Sequence, residues 1–161
     1  MIDAPASASL SLSLVDERAT AALAARLAGL ARRGDVIALQ GPLGSGKTSF
    51  ARAFIRARFG APQDVTSPTF TLVEIYSGDG PPVWHFDLFR LAAPEDAWEL
   101  GIEDAFSDGI SLIEWPERLG TLLPKEHLAI ALAFGASSAA RTARLAASPA
   151  WEARLRELAD G

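Results

Sequence analysis

The stretch Val36-Ile37-Ala38-Leu39-Gln40-Gly41-Pro42-Leu43-Gly44-Ser45-Gly46-Lys47-Thr48 decides the fold. It starts as an apolar run of strand length and continues into a loop that fits GxxxxGK[ST] at every fixed position. An alanine- and arginine-rich segment with helical patterning follows. The glycines let the backbone turn tightly and aim successive N–H groups at phosphate oxygens, while the helix brings its positive N-terminal end to the same place. In such a loop Lys47 reaches the β- and γ-phosphates as a point charge, and the Thr48 hydroxyl binds the magnesium that bridges them. The expected nucleotide-binding residues are Gly41, Leu43, Gly44, Ser45, Gly46, Lys47, Thr48 and Ser49. The bland alternative is a glycine-rich strand-to-helix turn that holds no ligand.

Composition bounds the rest. The 161 residues are 49% hydrophobic and 22% charged, enough for one α/β domain with a substantial core and too few for two large ones. A formal net charge of −5 disfavours binding RNA or DNA through non-specific phosphate neutralisation, so any nucleic acid is expected to be held by a partner. The chain has no cysteine, which excludes disulfides, thiolate metal sites and cysteine nucleophiles. Met1 to Ser13 carries neither a basic n-region nor a continuous apolar run, against a secretory signal. No stretch approaches the roughly 18 apolar residues that a membrane span needs. A cytoplasmic protein without membrane association is the expectation.

Residues 1–8 read as a flexible leader and residues 9–161 as a single domain. Ser9 to Leu14 alternates polar and apolar with period two, a half-buried strand suited to a sheet edge. Asp16 caps a helix in which Leu23, Leu27 and Leu30 form an apolar stripe, with Arg32 and Arg33 in the last turn and Gly34 at the C′ position. Asp35 to Gln40 is the buried strand that delivers the loop, and Thr48 to Phe59 is the helix after it, ended by Gly60 and Pro62. Phe70 to Tyr76 and Val83 to Leu88 form a hairpin across the turn Ser77 to Pro82. Pro94 to Leu100 is a short helix closed by Gly101, Glu103 to Asp108 a loop, and Ile110 to Ile113 a second buried strand. His127 to Phe134 pairs with Arg141 to Ala146, and Ser148-Pro149 opens a last helix with Trp151, Leu155 and Leu158 on one face. The expected fold class is α/β: one phosphate-loop NTPase domain with a mixed, mostly parallel central sheet flanked by helices and an antiparallel C-terminal hairpin.

Ligands of an open α/β sheet bind outside the carboxyl ends of its strands. Two carboxylates fall there: Asp87 after Val83-Trp84-His85-Phe86, and Glu114 after Ile110-Ser111-Leu112-Ile113. Glu114 is the favoured magnesium ligand, with Asp87 a second metal-linked or water-orienting group; the blander readings are a strand-end turn for Asp87 and a helix-capping carboxylate for Glu114. Thr66 and Thr69, flanking Ser67-Pro68, are positioned to sense a γ-phosphate in a switch-like loop, or form an ordinary hydroxyl-rich turn. His85, between apolar neighbours, reads as a satisfied strand histidine rather than a base. Trp115 either walls the nucleotide pocket or packs in the core. From Lys47 to Gln63 there is no acidic residue while Arg52, Arg56 and Arg58 accumulate. A solvated helix face is the bland reading of that run, and a contact surface for an acidic partner or RNA, with Arg52 and Arg56 on one helix face, is the sharper one.

Five blocks in one order resemble the bacterial TsaE (YjeE) family, the ATPase of tRNA threonylcarbamoyladenosine biosynthesis. They are Gly41 to Thr48, Thr66 to Val73, His85-Phe86-Asp87-Leu88-Phe89-Arg90-Leu91, Gly101-Ile102-Glu103-Asp104 and Glu114-Trp115-Pro116-Glu117. The resemblance implies a small ATPase that binds ATP and Mg2+ and serves a complex of TsaD and TsaB, which forms the N6-threonylcarbamoyl group on adenosine 37 of tRNA. It carries Lys47 and Thr48 over as phosphate and magnesium residues, Asp87 and Glu114 as catalytic or metal carboxylates, Thr69 as a switch-like residue and Trp115 as a site residue. The family usually has tyrosine where this chain has Phe89, so a phenolic hydroxyl is lost.

A small-molecule or nucleotide kinase would share the loop and the chain length, but would close an arginine-bearing lid over the phosphates, and no lid insertion is evident. A GTPase-type module would carry an Asn-Lys-x-Asp-like base-reading segment, and none occurs. No arginine finger is evident near the site, and such a finger is worth about 10³–10⁵ in rate. Hydrolysis by the isolated chain is therefore expected to be slow and to depend on partners.

Overall fold

The computed structural model describes residues 8–60, 65, 68 and 70–160. Their strands are β1 (Ala8–Leu14), β2 (Val36–Gln40), β3 (Val73–Tyr76), β4 (Val83–Asp87), β5 (Ile110–Glu114), β6 (Leu128–Phe134) and β7 (Arg141–Ala147). Their helices are α1 (Glu17–Leu30), α2 (Lys47–Phe59), α3 (Ile102–Asp108) and α4 (Pro149–Asp160). The seven strands form one sheet in the order β1-β7-β6-β2-β5-β4-β3. β6, β2, β5 and β4 run parallel to one another, and β1, β7 and β3 pair antiparallel. This is the mixed, mostly parallel sheet expected of the sequence, with β1 at one edge and the β6–β7 hairpin beside it.

β2 is apolar and buried from Val36 to Leu39 because both faces of the sheet are covered at its centre. Ile37 and Leu39 face one core together with Leu23, Leu27, Phe50, Phe54, Ile55, Trp151 and Leu155 from α1, α2 and α4. Val36 faces a second core with Phe86, Leu88, Ile102, Ile113 and Leu119. The period-two alternation of a strand thus feeds two cores, and neighbours Ile113 and Leu112 part company in the same way. α1 starts where Asp16 accepts the Ala19 N–H at 2.9 Å, and α4 is tied to the head of β2 by Arg154, which holds the Asp35 carboxylate at 2.6 and 3.1 Å. No described helix is long and apolar enough to cross a membrane.

Several local expectations are corrected. α1 stops at Leu30, before Arg32, Arg33 and Gly34, because Arg58 of α2 donates to the Ala28 carbonyl at 3.1 Å and satisfies the helix end from outside. Gly34 instead takes φ 90° in the turn into β2. Glu103 to Asp108 is not a loop but most of α3: Ile102 and Ala105 bury one side while the acidic residues face solvent, too short a stripe to register as periodicity. β3 begins only at Val73, since Leu72 adopts φ 66° and Phe70 is exposed. Pro94–Leu100 is a 3-10 helix, and a further 3-10 segment not foreseen spans Pro116–Leu122. Ala8, taken with the leader, is the first residue of β1, whereas residues 1–7 and Pro62 lie outside the described residues.

Candidate functional site

β2, β4 and β5 are parallel, so their carboxyl ends finish on one side of the sheet. The register aligns Glu114 with Asp87 across β4–β5 and with Leu39 across β2–β5. The phosphate loop leaves β2 at this level. Gly41 has φ 146°, and a Cβ there would lie 2.4 Å from the Leu132 carbonyl oxygen, so the turn over β6 admits only glycine. Gly44 and Gly46 also take positive φ, 82° and 105°. The Ser45 N–H donates to the Pro42 carbonyl at 3.1 Å, and the Phe50 N–H donates to Gly46 at 2.9 Å as the first turn of α2. The Ser45 hydroxyl is buried without a partner among the described residues.

Around this loop a cleft of about 400 Å³ is lined by Leu43, Gly44, Gly46, Lys47, Thr48, Ser49, Asp87, Phe89, Arg90, Glu114 and Trp115. Gly41 and Ser45 are not among the lining residues. The Lys47 ammonium donates to the Gly41 carbonyl and, at 3.1 Å, to the Pro42 carbonyl, and lies 4.0 Å from the centre of the Trp115 ring. Burial pulls its pKa below that of an ordinary lysine, against the opposing charges of Glu114, Glu117 and Asp87. Trp115 takes a left-handed φ of 59°, uncommon for a bulky side chain. Its ring packs on Phe89 at 4.9 Å, so it walls the cleft while its other side touches the second core.

Glu114 accepts the Thr48 hydroxyl on one carboxylate oxygen at 2.8 Å. Its other oxygen is 2.7 Å from His85 Nε2. Both His85 and Glu114 are buried. A carboxylate oxygen accepts, so Nε2 is the donor in this contact, and Nδ1 is buried without a partner among the described residues. Asp87 accepts the Phe89 N–H at 3.2 Å. Burial raises its pKa above the usual aspartate range, the Phe89 N–H opposes this and the neighbouring Glu114 charge adds to it.

Oxygen donors from Thr48, Glu114 and Asp87 on one wall, facing a loop of backbone N–H groups, fit a hard divalent cation that keeps several waters and bridges phosphates. The described residues contain no cluster of three or more His, Asp or Glu side chains that would cage a metal without phosphate. Thr69, with Thr66 and Ser67, lies outside the described residues. Arg52 and Arg56 are on α2 away from the cleft lining, the first partly buried and the second exposed. Arg90, just after β4, also lines the cleft. His85, read as ordinary strand histidine, is bonded into the site. Its position one strand alternation before Asp87 was the available signal. Arg90 was already inside a matching block, whereas Arg141, whose guanidinium reaches the loop from β7, carried no signal at all.

Residues 14–143 match the family model described as "Threonylcarbamoyl adenosine biosynthesis protein TsaE". Among curated relatives, the protein of Rickettsia felis named tRNA threonylcarbamoyladenosine biosynthesis protein TsaE is 40% identical over 112 residues, covering 70% of this chain and 66% of that protein. The Bacillus subtilis protein of the same name is 35% identical, with 73% of each chain covered. The chain thus spans slightly less than two thirds of the Rickettsia felis protein, and 63% of the one from Rickettsia conorii. The crystal structure of Bacillus subtilis YdiB superposes with a TM-score of 0.76 at 29% identity over 95% of both chains. With the family model matched over most of its length and the fold shared almost end to end, the chain belongs to the TsaE family.

Proposed function

We propose that this chain is a slow, Mg2+-dependent ATPase that supports the TsaD–TsaB complex in forming N6-threonylcarbamoyladenosine at position 37 of tRNA, in the cytoplasm. The observation that carries the chemistry is the Thr48–Glu114 hydrogen bond at the mouth of the phosphate loop, with Asp87 in register beside it. It supports a site in which a loop threonine and a strand-end carboxylate share one cation.

In this reading the phosphates of ATP lie against the N–H groups of Gly44, Gly46, Lys47 and Thr48 and the N-terminal end of α2. The Lys47 ammonium exchanges the Gly41 and Pro42 carbonyls for phosphate oxygens, which recovers the charge pairing that burial denies it. Thr48 and Glu114 would hold Mg2+ beside Asp87, and the ion would supply charge neutralisation on the phosphates. Asp87 orients the attacking water and takes its proton as the oxygen bonds to the γ-phosphorus and the bond to ADP breaks. Trp115 and Phe89 wall the cleft. Arg90 lines the cleft with its guanidinium over the Phe70 ring at 5.2 Å.

The test is Mg2+-dependent ATP hydrolysis by the wild type, Lys47→Ala and Glu114→Ala, with and without TsaB–TsaD and tRNA. Stimulation by the pair that is lost in both variants is expected. Hydrolysis indifferent to the partners, together with phosphate transfer to a nucleoside or nucleotide panel, would replace this reading by a kinase.

A further inference from the structure

Arg141 opens β7, far along the chain from the phosphate loop, yet its guanidinium is committed to that loop. Its Nε donates to the Ser45 carbonyl at 3.0 Å and one terminal nitrogen to the Gly44 carbonyl at 3.2 Å. The other terminal nitrogen donates to the Ser138 and Ala140 carbonyls, each at 2.8 Å. All four acceptors are backbone carbonyls, so none of these bonds cancels the guanidinium charge. The Phe134 ring of β6 faces the cation at 5.2 Å. A Cβ on Gly44 would lie 4.0 Å from the same ring. The β6–β7 hairpin therefore backs the loop on the side away from the carboxylates.

A trans peptide is planar, with its carbonyl and the following N–H pointing in opposite directions. Holding the Ser45 carbonyl toward Arg141 turns the Gly46 N–H the other way. Holding the Gly44 carbonyl turns the Ser45 N–H toward Pro42, to which it donates. Gly44 and Gly46 would otherwise sample many backbone conformations, and a loop that must be ordered on binding loses affinity. We propose that Arg141 is a positioning residue for nucleotide binding. It clamps the loop carbonyls so that the Gly46 N–H is already turned away from the hairpin toward phosphate and the Ser45 N–H is tied back to Pro42, and adds an uncancelled positive charge behind them. The inference rests on the phosphate-binding reading of the cleft. Arg141 does not line that cleft, so it acts through the loop.

Titration calorimetry with Mg2+–ATP, Mg2+–ADP and pyrophosphate on the wild type, Lys47→Ala, Arg141→Lys and Arg141→Ala tests this. Hydrogen bonds to charged groups are worth enough that Arg141→Ala is expected to weaken ATP and pyrophosphate binding about tenfold or more. Arg141→Lys keeps the charge but cannot donate to both loop carbonyls in a fork, and is expected to recover only part of the loss. Nucleotide-free thermal midpoints should stay within a few degrees of wild type, separating loop order from global stability. Binding by Arg141→Ala within twofold of wild type, while Lys47→Ala fails to bind, overturns the inference. Should Arg141→Ala not fold, Arg141→Lys decides: affinity within twofold of wild type overturns it, and a clear loss supports it. A wild type that binds neither ATP nor pyrophosphate would overturn the proposed function itself, and this inference with it.

Discussion

Glu114 accepts from Thr48 and His85 at once, so its orientation is set before any ligand arrives. Removing the imidazole leaves a buried carboxylate oxygen unpaired. His85→Ala is expected to destabilise the fold by about 1–3 kcal/mol and to lower turnover at saturating ATP more than it raises the KM. Denaturant titration and steady-state kinetics check this, and unchanged turnover would show that Glu114 needs no support from His85. Asp87 makes a pH prediction. Its pKa is raised on folding by burial, so the unfolded chain ionises first, the native state holds more protons, and stability falls as pH rises from the ordinary aspartate range through the raised value. Without nucleotide and with EDTA, Asp87→Asn should therefore melt higher than wild type at neutral pH. The advantage should shrink toward acidic pH as the wild-type carboxyl protonates. A difference independent of pH would contradict the assignment. Both residues were legible as strand-end or strand polar groups, but spacing alone does not show that one imidazole meets the other strand's carboxylate.

At the scale of elements, α2 does two jobs from one sequence. Its first turn presents Lys47 and Thr48 to the cleft, while Phe50, Ala51, Phe54 and Ile55 are fully buried against α1 and the sheet. Phe54→Ala should cost about 3–5 kcal/mol, measured by denaturant unfolding, and should weaken ATP binding less than Lys47→Ala does because the loop itself is untouched. A stability loss below about 1 kcal/mol would mean that the α1–α2 layer repacks freely. Long, strongly patterned elements such as α1, α2 and β2 could be read from periodicity. α3 could not, because two buried side chains in seven residues make no pattern. The end of α1 is set by Arg58 of another helix rather than by its own Gly34.

In the whole molecule, the Asp35–Arg154 pair joins the strand that carries the phosphate loop to the final helix. Arg154 is buried and stacks on Trp151 at 3.7 Å. Asp35→Ala strands that charge and should destabilise by about 3–5 kcal/mol, whereas Asp35→Ala with Arg154→Met should recover much of the loss. A double-mutant cycle by denaturation measures the coupling, and additive effects would show that the pair does not act as a unit.

The sequence by itself determined the phosphate loop, its strand and helix, the two strand-end carboxylates and the parallel centre of the sheet. Each of these is encoded locally, by glycine and lysine spacing, by hydrophobic period, or by apolar runs covered on both faces. Only the tertiary structure decided that β4 lies beside β5 with Asp87 opposite Glu114, that His85 bonds Glu114, and that Arg90 and Arg141 reach the loop region from distant segments. Those contacts join residues separated along the chain by whole elements. No local period records them, because they follow from strand order and register, which are settled by packing two cores against one sheet.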